Sequence, residues 1–161
     1  MVDFYGRRNI LKDLTQINED NQLAHALFLG ACYLADLHAN KSLFHGDIKH
    51  KNLLVKTEDH FCSSDSGSLV PLTGSGKYIA KVYTVGFAST THIKRVVTNQ
   101  GATLNELIQE DFHQFKVSVK YLMKCRENEL LNQFRAQIEI SSSLIELKAA
   151  LVKSSFPYLL I

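Results

Sequence analysis

Phe44-His-Gly-Asp-Ile-Lys-His-Lys-Asn-Leu-Leu-Val55 gathers His45, Asp47, Lys49 and Asn52 within eight residues, then turns at once to three apolar side chains. The reading is an irregular loop that presents polar groups and feeds a short strand at Leu53–Val55. Taken alone, His45 beside Asp47 also fits a tight turn whose polar groups satisfy one another.

Upstream, Asn18-Glu-Asp-Asn21 supplies side chains that accept hydrogen bonds from the free amides of a starting helix. Leu23, Ala26, Leu27, Gly30, Ala31, Leu34 and Leu37 follow at helical spacing, so the helix is expected to run to about His38 and to be ended by Asn40 and Lys41. Small residues at 26, 30, 31 and 35 predict close packing against another helix. Ahead of it, Ile10, Leu11 and Leu14 among Arg7, Arg8, Lys12 and Asp13 predict a short amphipathic helix within 1–16.

Downstream, Phe61-Cys62 is the expected partner of the 53–55 strand across the polar turn Lys56–His60. Ser63 to Gly76 is rich in Ser, Gly, Asp and Thr and reads as a loop, and Tyr78 to Val82 as a brief strand or extended segment. Thr103-Leu-Asn-Glu106 and Ser143-Leu-Ile-Glu146 fit the capping box, in which side chains satisfy free helix-end amides. Helices are therefore expected at about 104–124, 128–139 and 143–154. No internal repeat or proline-rich linker divides the chain, which reads as one unit over 1–161.

At 161 residues, 45% hydrophobic and 21% charged, the composition suits a folded domain with a real core and excludes wholesale disorder. A net charge of +2 gives no argument for a nucleic-acid or membrane-surface partner. Cys32, Cys62 and Cys125 are odd in number and far apart, so reduced thiols in a cytoplasmic or nuclear setting are expected. The greasiest stretch, Leu23 to Leu37, is interrupted by His25 and Asp36 and falls short of the roughly 20 residues that span a bilayer. Gly74-Ser-Gly-Lys77 lacks the P-loop form, because Pro71 stands where the first glycine belongs. His50, His60 and Cys62 lack zinc-site spacing.

The 44–55 stretch resembles the catalytic loop of eukaryotic-type protein kinases, H-R-D-x-K-x-x-N followed by a short apolar strand. The resemblance extends over about residues 8–125. Asp65-Ser-Gly67 falls thirteen residues after Asn52, where the family places Asp-Phe-Gly. A rival anchor, Tyr83-Thr-Val-Gly86, would put threonine at the metal ligand's place. Asp65 is preferred, because Thr84-Val-Gly-Phe-Ala-Ser-Thr-Thr91 is similar to the later, substrate-facing segment. Asp111-Phe-His-Gln-Phe115 resembles the start of the central buried helix, whose aspartate holds the catalytic loop's backbone.

The resemblance implies an α+β, mainly α-helical fold, the C-terminal large lobe of a kinase-like domain with a small β-hairpin. It implies ATP and Mg2+ as cofactors. Asp47 would orient the substrate hydroxyl and Lys49 would contact the transferring phosphoryl group, as in serine/threonine-directed members. Asn52 and Asp65 would hold the metal, Thr84 would face substrate, and His45 and Asp111 would be structural anchors. Gly46, Ser66, Thr90 and Thr91 depart from the family pattern. So does the lack of a glycine-rich turn and a phosphate-binding lysine ahead of residue 8, which predicts an inactive chain when taken alone. Two functions follow: part of a serine/threonine kinase, or a truncated pseudokinase that binds protein. The expected partners are a protein substrate, another kinase's small lobe or a second copy. Leu53, Leu54, Val55, Phe61 and the run Phe156–Ile161 are expected to leave an uncovered apolar surface.

Overall fold

The structure, a computed structural model, describes residues 12–40, 43–58, 78–84 and 103–156. Strand β1 (Lys12–Asp13) leads through a 3-10 turn at Leu14–Gln16 into helix α1 (Asp20–Asn40). After the 43–52 segment come β2 (Leu53–Glu58) and β3 (Tyr78–Thr84), then helices α2 (Leu104–Leu122), α3 (Glu129–Ile140) and α4 (Leu144–Lys153). The architecture is mainly helical, with one three-stranded antiparallel sheet ordered β1-β2-β3. Among the described residues no helix is long and apolar enough to cross a membrane.

Helix ends follow from their caps. Thr103, Asn128 and Ser143 each accept from an amide in the first turn that follows, at 3.2, 3.2 and 3.1 Å, which satisfies donors the helix itself leaves free. Helix α4 stops in a Schellman turn. The Phe156 N–H donates to the Leu151 carbonyl and the Ser155 N–H to that of Val152, with Ser155 in the left-handed region at φ 59°.

Two local expectations give way to tertiary pairing. The described part of 1–16 is strand and 3-10 turn, not helix. Lys12 and Asp13 pair with Val55 and Leu54, and Asp13 and Gln16 cap the turn reciprocally at 2.8 and 3.0 Å. The partner of β2 is β3, with Leu53 opposite Thr84 and Glu58 opposite Tyr78; Phe61 and Cys62 lie outside the described residues.

One core joins the four helices to the sheet and includes Leu14, Leu34, Leu53, Phe115, Phe134, Leu147 and Phe156. The small residues of α1 allow the closest approach: Ala26, Gly30, Ala31 and Ala35 are buried, and α4 packs on this helix through Leu144, Leu147 and Leu151. Lys148 and Asp36 pair at the rim at 2.6 Å. Phe28, Phe156, Phe134 and Phe115 form a chain of ring contacts with centroids 5.8–6.4 Å apart, binding α1, the turn after α4, α3 and α2 together. Of these, Phe28 is half-buried, and the fully buried rings each contribute ~1.5–3 kcal/mol relative to leaving them in water. The expected apolar exposure is corrected for three residues: Leu53 and Val55 are buried because that face of β2 packs into the core, and Phe156 because the Schellman turn folds it back. Leu54 is half-buried, and residues 157–161 lie outside the described residues.

Glycine reaches the left-handed region without the Cβ penalty that Ser155 carries. Ser155→Gly is therefore expected to raise stability by roughly 0.5–1 kcal/mol, read as a higher midpoint in urea unfolding. Buried His25 yields a pH prediction. Its Nδ1 has no partner among the described residues, and burial lowers its pKa from 6.5 to about 4. The unfolded chain takes up this proton more readily. The associated stability is thus full above pH ~6.5 and lost as pH falls toward 4, by roughly 3 kcal/mol at the lower end. His25→Leu should flatten that part of the stability–pH curve; a decline as steep as the wild type's would contradict it.

Candidate functional site

The 45–52 loop is held from below by α2, whose buried face (Asp111, Phe112, Phe115, Ser118, Val119 and Leu122) runs along one side of the helix. The Asp111 carboxylate is fully buried. Its Oδ2 accepts from the backbone N–H of His45 at 2.5 Å and its Oδ1 from that of Gly46 at 2.8 Å. His38, at the end of α1, places Nε2 3.0 Å from the same Oδ2, with both side chains out of water. Three N–H groups on one buried carboxylate satisfy its desolvated charge, and charge-assisted bonds of this kind are stronger than neutral ones. One turn on, Gln114 Oε1 accepts from the Ile48 N–H at 2.8 Å.

Gly46 makes the double contact geometrically feasible. Its φ of 88° lets consecutive amides face one carboxylate, a conformation open to glycine and costly for residues with a Cβ. A residue with a Cβ would carry that cost. His45 is buried and its Nδ1 accepts from the Asp47 N–H at 3.1 Å, so the ring braces the loop from within.

Above this anchored base the side chains point outward. The carboxylate of Asp47 and the ammonium of Lys49 are each about half exposed and stand 3.8 Å apart. A pair this wet is worth ~0–1 kcal/mol, so both groups are available to a ligand. Asn52 donates from Nδ2 to the Asp47 carbonyl at 2.8 Å and more weakly to its carboxylate at 3.5 Å. The arrangement fixes a solvent-facing carboxylate on a rigid backbone with a cation beside it. It can orient a hydroxyl and meet a negative charge.

The structure thus brings together His45, Asp47, Lys49, Asn52 and Asp111. Asp65 lies outside the described residues. Thr84 closes β3 opposite Leu53, the residue after Asn52, and so belongs to a paired strand rather than to a later loop. His38 and Gln114 are members of the site that reasoning from sequence missed. Gln114 had a usable signal, since it sits three residues from Asp111 on the same helix face.

Of the two residues the resemblance implies for magnesium, Asn52 is among the described residues and Asp65 is not. With Nδ2 of Asn52 committed to Asp47, its Oδ1 remains as a hard neutral ligand of the type magnesium takes. Among the described residues, no three His, Cys, Asp or Glu side chains gather as a metal site. No protein-family model, curated protein or solved structure matches the chain.

Removing the anchor should free the loop. Asp111→Ala orphans two amides and one imidazole and is expected to cost roughly 3–5 kcal/mol. Hydrogen exchange at His45 and Gly46 should rise more than at the α3 amides, whereas uniform acceleration would mean that Asp111 supports the fold as a whole and not the loop in particular.

Proposed function

We propose that the chain carries the large lobe of a serine/threonine-type protein kinase-like domain, and that its 45–52 loop positions a protein hydroxyl for phosphoryl transfer in the complete parent. The supporting observation is the Asp111 carboxylate bonded to the amides of His45 and Gly46, which presents Asp47 and Lys49 to solvent on a fixed backbone. In this reading Asp47 accepts a hydrogen bond from the substrate hydroxyl and Lys49 meets negative charge on the group transferred. Asn52 holds the loop in shape through the Asp47 carbonyl. Positioning and charge neutralisation are what phosphoryl transfer chiefly asks of a protein.

A second reading, a pseudokinase that binds protein without transferring phosphate, is favoured by Ser66 and Thr91, which depart from the kinase pattern. Both readings use the same loop and differ in the chemistry. Labelled phosphate transfer from ATP and magnesium to a serine-containing protein, measured in the complete parent domain, separates them. The expected result is transfer that Asp47→Asn lowers roughly a hundredfold or more. Transfer no greater than the blank, with the fold intact, replaces the first reading with the second.

A further inference from the structure

The loop has a second attachment to α2. The His50 ring stacks on Tyr121 with centroids 4.2 Å apart and planes 19° from parallel. Tyr121 lines a cavity of about 570 Å³ at the C-terminal end of α2, with Lys120, Lys124, Arg126, Glu127 and Arg135 around it. Four cations face one anion there. They are not equivalent. Arg126 is committed to the Ile17 carbonyl at 2.5 Å and to Asp20 at 3.3 Å. Arg135 donates to Asn132 at 3.0 Å. Lys120 and Lys124 are exposed and, among the described residues, have no ionic partner.

On the loop side, exposed Lys49 and Lys51 flank His50. The stacked pair therefore joins two lysine-bearing surfaces, one beside Asp47 and one around the cavity. Of these lysines Lys49 has a partner, Asp47 at 3.8 Å, whereas Lys51, Lys120 and Lys124 have no ionic partner among the described residues, so positive charge stands beside the candidate site in a chain of only +2. Tyr121 and Val117 add exposed apolar area, 57% and 56% accessible, which suits a peptide more than a bare inorganic anion.

We propose that this cationic cavity docks an acidic segment of the protein whose hydroxyl the 45–52 loop receives. The inference rests on the reading of that loop as a protein-binding site, and charge complementarity selects the occupant. Geometry sets the spacing. Tyr121 is seven residues beyond Gln114, the contact under Ile48, hence ~10 Å along the helix axis. An extended peptide covers that distance in about three residues. Asp or Glu about three positions from a serine or threonine is the pattern the surface is built to take.

The test is binding, which needs no catalysis. Fluorescence anisotropy with the full chain would compare a serine peptide carrying a Glu-Asp-Glu cluster three residues away with its Gln-Asn-Gln counterpart. The acidic peptide should bind about tenfold tighter, and Lys120→Gln/Lys124→Gln, at exposed positions where folding is unaffected, should erase the difference. Asp47→Asn should leave the preference intact. Equal binding of the two peptides, a preference that survives the double variant, or an oligonucleotide of equal charge displacing the acidic peptide would each overturn the proposal. Loss of phosphate transfer with the preference retained would count against the catalytic reading and not against docking. Asp47-dependent transfer without any acidic preference would do the reverse.

Discussion

A single buried carboxylate organises this molecule. Asp111 sits in the middle of α2 with no water to share its charge, so it must draw N–H groups from elsewhere in the chain. It finds them 65 and 66 residues upstream in the loop and 73 residues upstream in α1. No local rule could bring these segments together. Once the charge is buried, the loop's backbone course, the α1 terminus and the position of α2 are mutually constrained, since moving any one leaves a desolvated group unpaired.

The hydrophobic architecture makes that constraint affordable. Asp111 is flanked along its helix face by Phe112 and Phe115, and Phe115 begins the ring chain that runs through Phe134 and Phe156 to Phe28. The helix that carries the polar anchor is itself locked by apolar contacts on the same side. Close approach of α4 to the small-residue face of α1 adds a second seam, with the Lys148–Asp36 pair at its edge.

Much of this was legible in the sequence where the causes are local. Helix starts at Thr103 and Ser143 are written in their capping residues, and the α1 packing face in its spacing of small and apolar side chains. The loop bearing Asp47, Lys49 and Asn52, and Asp111 as its anchor, were legible through the resemblance of their motifs to the kinase pattern and not through local causes. What escaped depends on distant partners. The return strand lies nineteen residues beyond β2, after a polar insert, whereas turn chemistry favoured the nearer Phe61. Lys12 and Asp13 follow a helical pattern but are claimed by the edge of β2. Phe156 reads as surface until a Schellman turn reverses the chain beneath it. His38 carried no sign of its role, because nothing near it in sequence marks a contact 73 residues away.

The seam between α1 and α4 also governs the accessibility of a thiol. Cys32 lies on α1 with its pKa pushed up to about 11, chiefly by burial, with Asp36 adding to the rise and Lys148 opposing it. At neutral pH it is overwhelmingly the protonated thiol, a poor nucleophile, while the folded chain also limits reagent access. Cys125, in the turn after α2, is exposed. Alkylation at Cys32, half-buried and held as the protonated thiol, is therefore expected to lag that at exposed Cys125, so two native thiols of one chain react on different terms.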